Sequence, residues 1–366
     1  MKSKLFIVSV LSIVLLTAFN YAGEVNRVEI GNLVLEDVPE IPTELTERLL
    51  QYQNVRSAIF RDWDPKSEGI LIGTRFGETA QFHLVQKPLG SRKQITFFNE
   101  PVSGGAFSKD KNKYGFLFSK DIGGSEFSQI FYFDLNTGNY KMLTDGQSRN
   151  GAANWSNKGD RFTFYSTKRN GRDWDVYIAD VDNPENAECV LEKSGVWLSY
   201  DWSPDDSKLL IVNYISANES YFYVLDLGTK ELEQINPVEE KIAYGGAIFS
   251  KDGKGVYLTS DEKAEFQHLR YYDLETKKTK VLTAHISWDV DDFTLSDNGK
   301  FLAFIVNEDG ISKLHMLDLN SNKEIKLPEI PIGQVYSISF SPDSKRFSMV
   351  LNSPTSPGDI YIMDKI

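Results

Sequence analysis

The 366-residue chain contains a single cysteine and only four histidines. One thiol permits no internal disulfide, so packing alone must hold the fold. Cys189 sits in Glu188-Cys189-Val190-Leu191, a strand-like stretch, and reads as a small core residue rather than a nucleophile. His83, His268, His285 and His315 are scattered, and no pair has metal-ligand spacing, so no metal or other cofactor is expected. Positive charge is also short. Forty Lys and Arg against 52 Asp and Glu give a net charge of −12, which argues against a nucleic-acid partner. Gly104-Gly105 and Gly245-Gly246 lack the Lys-Ser/Thr that would make either a phosphate loop. The acidic run Asp289-Val290-Asp291-Asp292 reads as a solvated strand entry rather than a calcium site.

Long apolar runs are confined to the N-terminus. Lys2 and Lys4 precede an apolar stretch from Leu5 to Phe19, followed by Asn20-Tyr21-Ala22-Gly23. This is the pattern of a secretory signal peptide over residues 1–22, cut after Ala22. No cysteine lies near the cut for lipid attachment, and no later segment is long enough to span a membrane. The expected mature protein is exported to a periplasm or to the outside and does not cross a membrane. Residues 23–53 form a leader. Val28, Ile30, Leu33 and Leu35 suit one edge strand, and Thr43 suits the cap of a short helix carrying Leu45, Leu49 and Leu50.

What the rest of the chain has in abundance is repetition. Tyr200 to Val212 reads as strand, Ser-Pro-Asp turn and strand, with Pro204 preset for the second turn position. Equivalent turns begin at Asp64, Ser108, Ser156, Ser203, Ser250, Ser296 and Ser341, in steps of 44, 48, 47, 47, 46 and 45 residues. A second motif, aromatic-x-x-Asp, keeps the same beat. Its aspartates are Asp134, Asp180, Asp226, Asp273, Asp318 and Asp364, each expected to bond the amides of the turn that follows. A period of this length, holding several short strands, predicts a β-propeller: residues 54–366 as seven four-stranded blades in an all-β fold. The seventh blade reaches Asp364 with only two residues left for an outer strand. Pairing of part of residues 26–36 with that blade would complete it.

The Ser-Pro-Asp-x-Ser-Lys and Tyr-x-x-Asp-Leu repeats resemble those of TolB-type propellers. A narrower resemblance rests on Tyr52 to Ala58, Thr74-Arg75-Phe76-Gly77, Gln94 to Phe98, Asp121 to Phe127 and Ser353 to Pro357. These stretches resemble the N-terminal propeller of the prolyl oligopeptidase family of serine peptidases. That resemblance implies a propeller that gates an α/β-hydrolase domain and binds peptide substrate. The hydrolase signature itself, Gly-x-Ser-x-Gly, does not occur, so no catalytic residue is assigned in this chain and a hydrolase domain would have to be encoded downstream. Whether the protein acts in an enzyme is thus left open. The alternative is a stand-alone periplasmic TolB-like propeller that binds a protein partner. A third reading is a polysaccharide lyase or glycosidase on the propeller.

Candidate binding residues come from the loops joining each outer strand to the next inner strand, around one channel mouth. They are Arg149, Asn150, Trp197, Tyr244, Trp288 and Asp291. Exposed aromatics with a few charges around a concavity suit peptide or protein contact. The same aromatics equally suit packing between blades.

Overall fold

The computed structural model describes residues 25–237 and 239–364; the expected signal peptide lies outside them. Two compact units are present, residues 25–54 with 123–125, and residues 55–122 with 126–364. Among the described residues no helix is long and apolar enough to cross a membrane.

The first unit corrects two expectations. Arg27–Ile30 and Leu33–Glu36 pair with each other in a hairpin, with Ile30 opposite Leu33. They are two strands of one hairpin rather than the single edge strand expected. The reason is local: Gly31, at a φ of +60°, makes a two-residue turn, and closing so short a loop costs little. The helix Thr43–Gln53 forms as expected, but Pro42 occupies the capping position and no side chain caps the helix. Thr43 is its first helical residue, and Leu45, Leu49 and Leu50 are exposed.

The second unit is a seven-bladed propeller. Each blade is an antiparallel meander, as in Ser103–Phe107, Gly115–Lys120, Gln129–Asp134 and Tyr140–Met142 of the second blade. Among the described residues six blades have four strands and the seventh has three, Gln334–Phe340, Arg346–Ser353 and Ser356–Asp364. First strands of neighbouring blades lie against one another, so they line the axis. Second strands such as Phe116-Leu117-Phe118 are buried because both blade faces meet a neighbour. The core is accordingly divided. Seven apolar clusters each span one blade-to-blade interface. The seam between blades 7 and 1 is the sparsest, with only Phe60, Trp63 and Val350 fully buried.

The repeated turns do the work their chemistry predicts. Ser203 Oγ donates to Asp205 at 2.6 Å and accepts from Lys208 N at 2.9 Å. Ser250 and Ser341 repeat the pattern with Asp252 and Asp343. Aspartates of the second motif cap their turns: Asp226 accepts from the amides of Gly228 and Thr229, and Asp318 from those of Asn320 and Ser321. Asp206 departs from the local pattern. It holds a φ of +60°, where three other blades place Gly159, Gly253 and Gly299. Its carboxylate reaches the preceding blade, accepting from Asn157 N at 2.7 Å and Lys158 N at 3.0 Å.

Cys189 is a further correction. It lies exposed on the outer strand Glu188–Leu191, not in the core. Outer strands of a propeller face solvent on much of their surface, and here Val190 and Leu191 supply the buried side.

Candidate functional site

The site is built on the inner strands. Three carry a β-bulge at the same place, between Phe60 and Asp62, Gly104 and Ala106, and Ser199 and Asp201, and the inner strand of the sixth blade bulges two residues earlier, between Val290 and Asp292. A bulge leaves one residue unpaired and re-aims its side chain. The residues so placed are Arg61, Gly105, Tyr200 and Asp291. Around the axis, then, one cation, one aromatic ring and one carboxylate interrupt a surface of small residues.

A cavity of about 490 Å³ opens between the inner strands of blades 1, 2 and 3. Its walls include Arg61, Gly105, Asn150, Gly151 and Asn154, with Phe118 among the apolar contributions. The glycines are required by crowding. A Cβ on Gly105, whose φ is +103°, would stand 2.9 Å from Phe82 and 3.2 Å from the Cβ of Arg61.

Two carboxylates tie the inner strands together. Asp62 accepts from Phe107 N of the next blade at 2.7 Å and from Trp63 N at 2.8 Å. Asp201 accepts from Phe249 N of its next blade at 2.9 Å. Removal from water pushes Asp62 up to about 7 and raises Asp201 as well; the amide bonds oppose the shift. Asp291 and Asp292 are raised by desolvation too, Asp291 further by the negative charge of Asp289.

The six residues expected at the mouth are not alike. Trp288 is 39% exposed, with its ring 6.3 Å from Phe266. Asp291 is exposed at its bulge. Arg149 is exposed and lies 4.7 Å over the ring of Phe127. Asn150 is buried on the cavity wall, donating to the carbonyls of Ser128 and Ser148 at 3.0 Å. Trp197 and Tyr244 are buried in blade cores; Trp197 Nε1 donates to Ser194 O at 2.9 Å, and Tyr244 OH accepts from Asn236 at 3.1 Å. Those two pack between blades and are not free for a ligand. Sequence reasoning missed Arg61. Its signal was a charged residue at a repeat position that elsewhere holds Gly105 and Ala153.

No three His, Cys, Asp or Glu side chains among the described residues gather as metal ligands. His83 is fully buried, and burial lowers its pKa. His315 stacks on Phe304 with Nδ1 2.6 Å from Glu324.

Comparison with known proteins gives a consistent result. The family pattern described as "Prolyl oligopeptidase, N-terminal beta-propeller domain" matches residues 99–365. No curated protein sequence matches the chain. Among solved structures, a prolyl endopeptidase from a study of inter-domain dynamics is 14% identical with a TM-score of 0.68, covering 92% of this chain. The present chain spans 57% of that protein's length. An oligogalacturonate lyase in complex with manganese is 10% identical with a TM-score of 0.66, over 85% of this chain and 91% of the lyase. TolB from Acinetobacter baumannii is 16% identical with a TM-score of 0.50, over 80% of this chain and 72% of TolB. At these identities the structural likenesses speak for the fold alone.

Proposed function

The chain belongs to the prolyl oligopeptidase family through its N-terminal propeller domain, and on that premise we propose that it is the substrate-gating, peptide-binding part of an exported serine peptidase. The observation that carries this reading is the family match over residues 99–365, which covers the second to seventh blades. In this reading the channel admits short or unfolded peptides and holds them for an α/β-hydrolase domain. Trp288 and Asp291 are the mouth residues whose exposure suits such contact. Arg149 contributes a cation at the same loops. Export is part of the proposal and is supported by the basic start and apolar run of residues 1–22.

The chemistry of cleavage is proposed to reside outside these residues, because the sequence offers no Gly-x-Ser-x-Gly elbow. Fluorophosphonate labelling of the protein isolated from its own host tests this. The proposal expects the labelled serine in a hydrolase domain associated with the propeller. Labelling of a serine within residues 25–364, above a denatured control, would contradict it. An unlabelled propeller purified with no hydrolase domain would favour a protein-binding module instead.

A further inference from the structure

Arg61 stands apart from the other half-buried cations of the propeller. Its Nε is buried and has no hydrogen-bond partner, and no carboxylate among the described residues lies within ion-pair distance of it. Arg270 also has an unpaired Nε, but its other nitrogens bond Glu262, at 3.4 Å to the carboxylate, and Lys120 pairs with Glu100 at 3.1 Å; Arg61 has no such ion pair among the described residues. The neighbouring carboxylate of Asp62 is bonded to Phe107 N and Trp63 N. Burial alone lowers the Arg61 pKa, and no partner charge offsets it. An orphaned guanidinium donor carries a desolvation cost, and at Arg61, unlike Arg270, no ion pair offsets it.

The surroundings make room for this side chain. The bulge between Phe60 and Asp62 re-aims Arg61. Gly105 lies against its stem, where an added Cβ would come within 3.2 Å of the Arg61 Cβ. Gly73 lies beneath the guanidinium, where a Cβ would stand 2.9 Å from Nε. Two glycines thus form a cradle that any larger residue would fill.

The cavity beside it has about 490 Å³, within the range of small-molecule sites. Among the described residues that line it, Arg61 is the only charged one. Ser103, Ser119 and Asn154 add neutral polar groups, and Phe60 and Phe118 add apolar surface. One guanidinium with no second cation matches a singly charged carboxylate better than a phosphate dianion. The apolar wall suits a small side chain next to that carboxylate.

We propose that Arg61 is a carboxylate anchor in the axial cavity and that its ligand is the free C-terminus of a short peptide. This rests on the peptide-binding reading and narrows it to one end of the peptide. A uronic acid sugar carries the same carboxylate, so the test must separate the two sources.

The test is titration of the purified protein with N-acetyl-dialanine, its C-terminal amide and digalacturonate, followed by calorimetry and by the Nε–H resonance of Arg61, assigned through Arg61→Lys. The proposal expects the free acid to bind and to shift the Arg61 resonance. It expects the amide to bind at least tenfold more weakly, and Arg61→Met to abolish that preference. Acid and amide binding equally to the wild type would overturn the anchor while leaving the peptide-binding reading in place. A preference that survives in Arg61→Met would overturn it too. If digalacturonate alone shifts Arg61, the carboxylate site stands but the peptide assignment falls, and with it the reading beneath. If no probe binds, both fall. The acid–amide comparison on the wild type needs no variant to fold.

Discussion

The guanidinium of Arg346, in the last blade, lies 4.7 Å over the indole ring of Trp63 in the first. Arg346 Nη1 also donates to Glu68 O at 2.9 Å, and Trp63 Nε1 donates to Ser339 Oγ at 3.3 Å. The same device recurs at an ordinary interface, where Arg161 lies 5.0 Å over Trp202 and Trp202 Nε1 donates to Asn154 O. The ring is therefore closed by face packing and a few hydrogen bonds across the seam, Ala58 N donating to Gly358 O at 2.9 Å among them, since the seventh blade has no fourth strand among the described residues.

Trp63→Ala should cost about 3–5 kcal/mol, the usual loss for a large buried aromatic. The seam it occupies has few other buried residues to take up the loss. Urea unfolding measures this, with Arg346→Ala as a milder companion near about 1 kcal/mol. A Trp63→Ala protein that unfolds like the parent would show that the seam does not hold the ring.

Asp206 links the turns of blades 3 and 4 while holding a left-handed backbone. Asp206→Ala should lose about 2–3 kcal/mol in charge-assisted bonds, and the strained φ adds to it. Asp206→Gly relieves the strain but loses the same bonds, so it should fall between parent and alanine variant. Equal stability of Asp206→Ala and parent by denaturant melt would refute the cross-blade latch.

The raised pKa of Asp62, about 7 against an unfolded value near 3.9, fixes a direction for pH. The folded chain binds this proton more tightly than the unfolded chain. The group's contribution to stability is therefore full below about pH 4 and is lost as pH rises through about 7. Asp62→Asn cannot titrate. The stability of the wild type relative to Asp62→Asn should therefore decline between those limits and level off above them. A difference that stays constant over this window would place the Asp62 pKa near its ordinary value.

Cys189 is exposed as a residue, but its Sγ turns toward Leu191 O at 3.6 Å, and partial desolvation of the thiol, followed by the charge of Asp175, raises its pKa. Cys189→Ser should change stability by less than about 0.5 kcal/mol, as surface substitutions do. A loss of several kcal/mol in thermal or urea unfolding would restore the core position expected from sequence.

The propeller was legible because its turn chemistry repeats. Ser203, Ser250 and Ser341 each need the same short-range bonds to form the turn, so their side chains recur at a fixed interval. The bulge at Arg61 left no such trace. It depends on pairing between Phe60 and Ile72 and between Asp62 and Leu71, which no local motif encodes. Burial of Trp197 and Tyr244 is likewise a property of neighbouring blades rather than of their own loops. The hairpin at Gly31 was locally encoded, but the apolar residues flanking it, Val28, Ile30, Leu33 and Leu35, were read as one strand.

Peptide binding by the propeller tests the central claim most directly. Fluorescent unstructured peptides of graded length, titrated against the purified protein, should bind saturably when short. A folded protein of similar charge should not bind. Trp288→Ala and Asp291→Ala together should weaken the short peptides by at least about tenfold, or 1.4 kcal/mol. Failure of every short peptide to bind, or binding that ignores both substitutions and ligand length, would contradict the assignment of this channel as the gate of a peptidase.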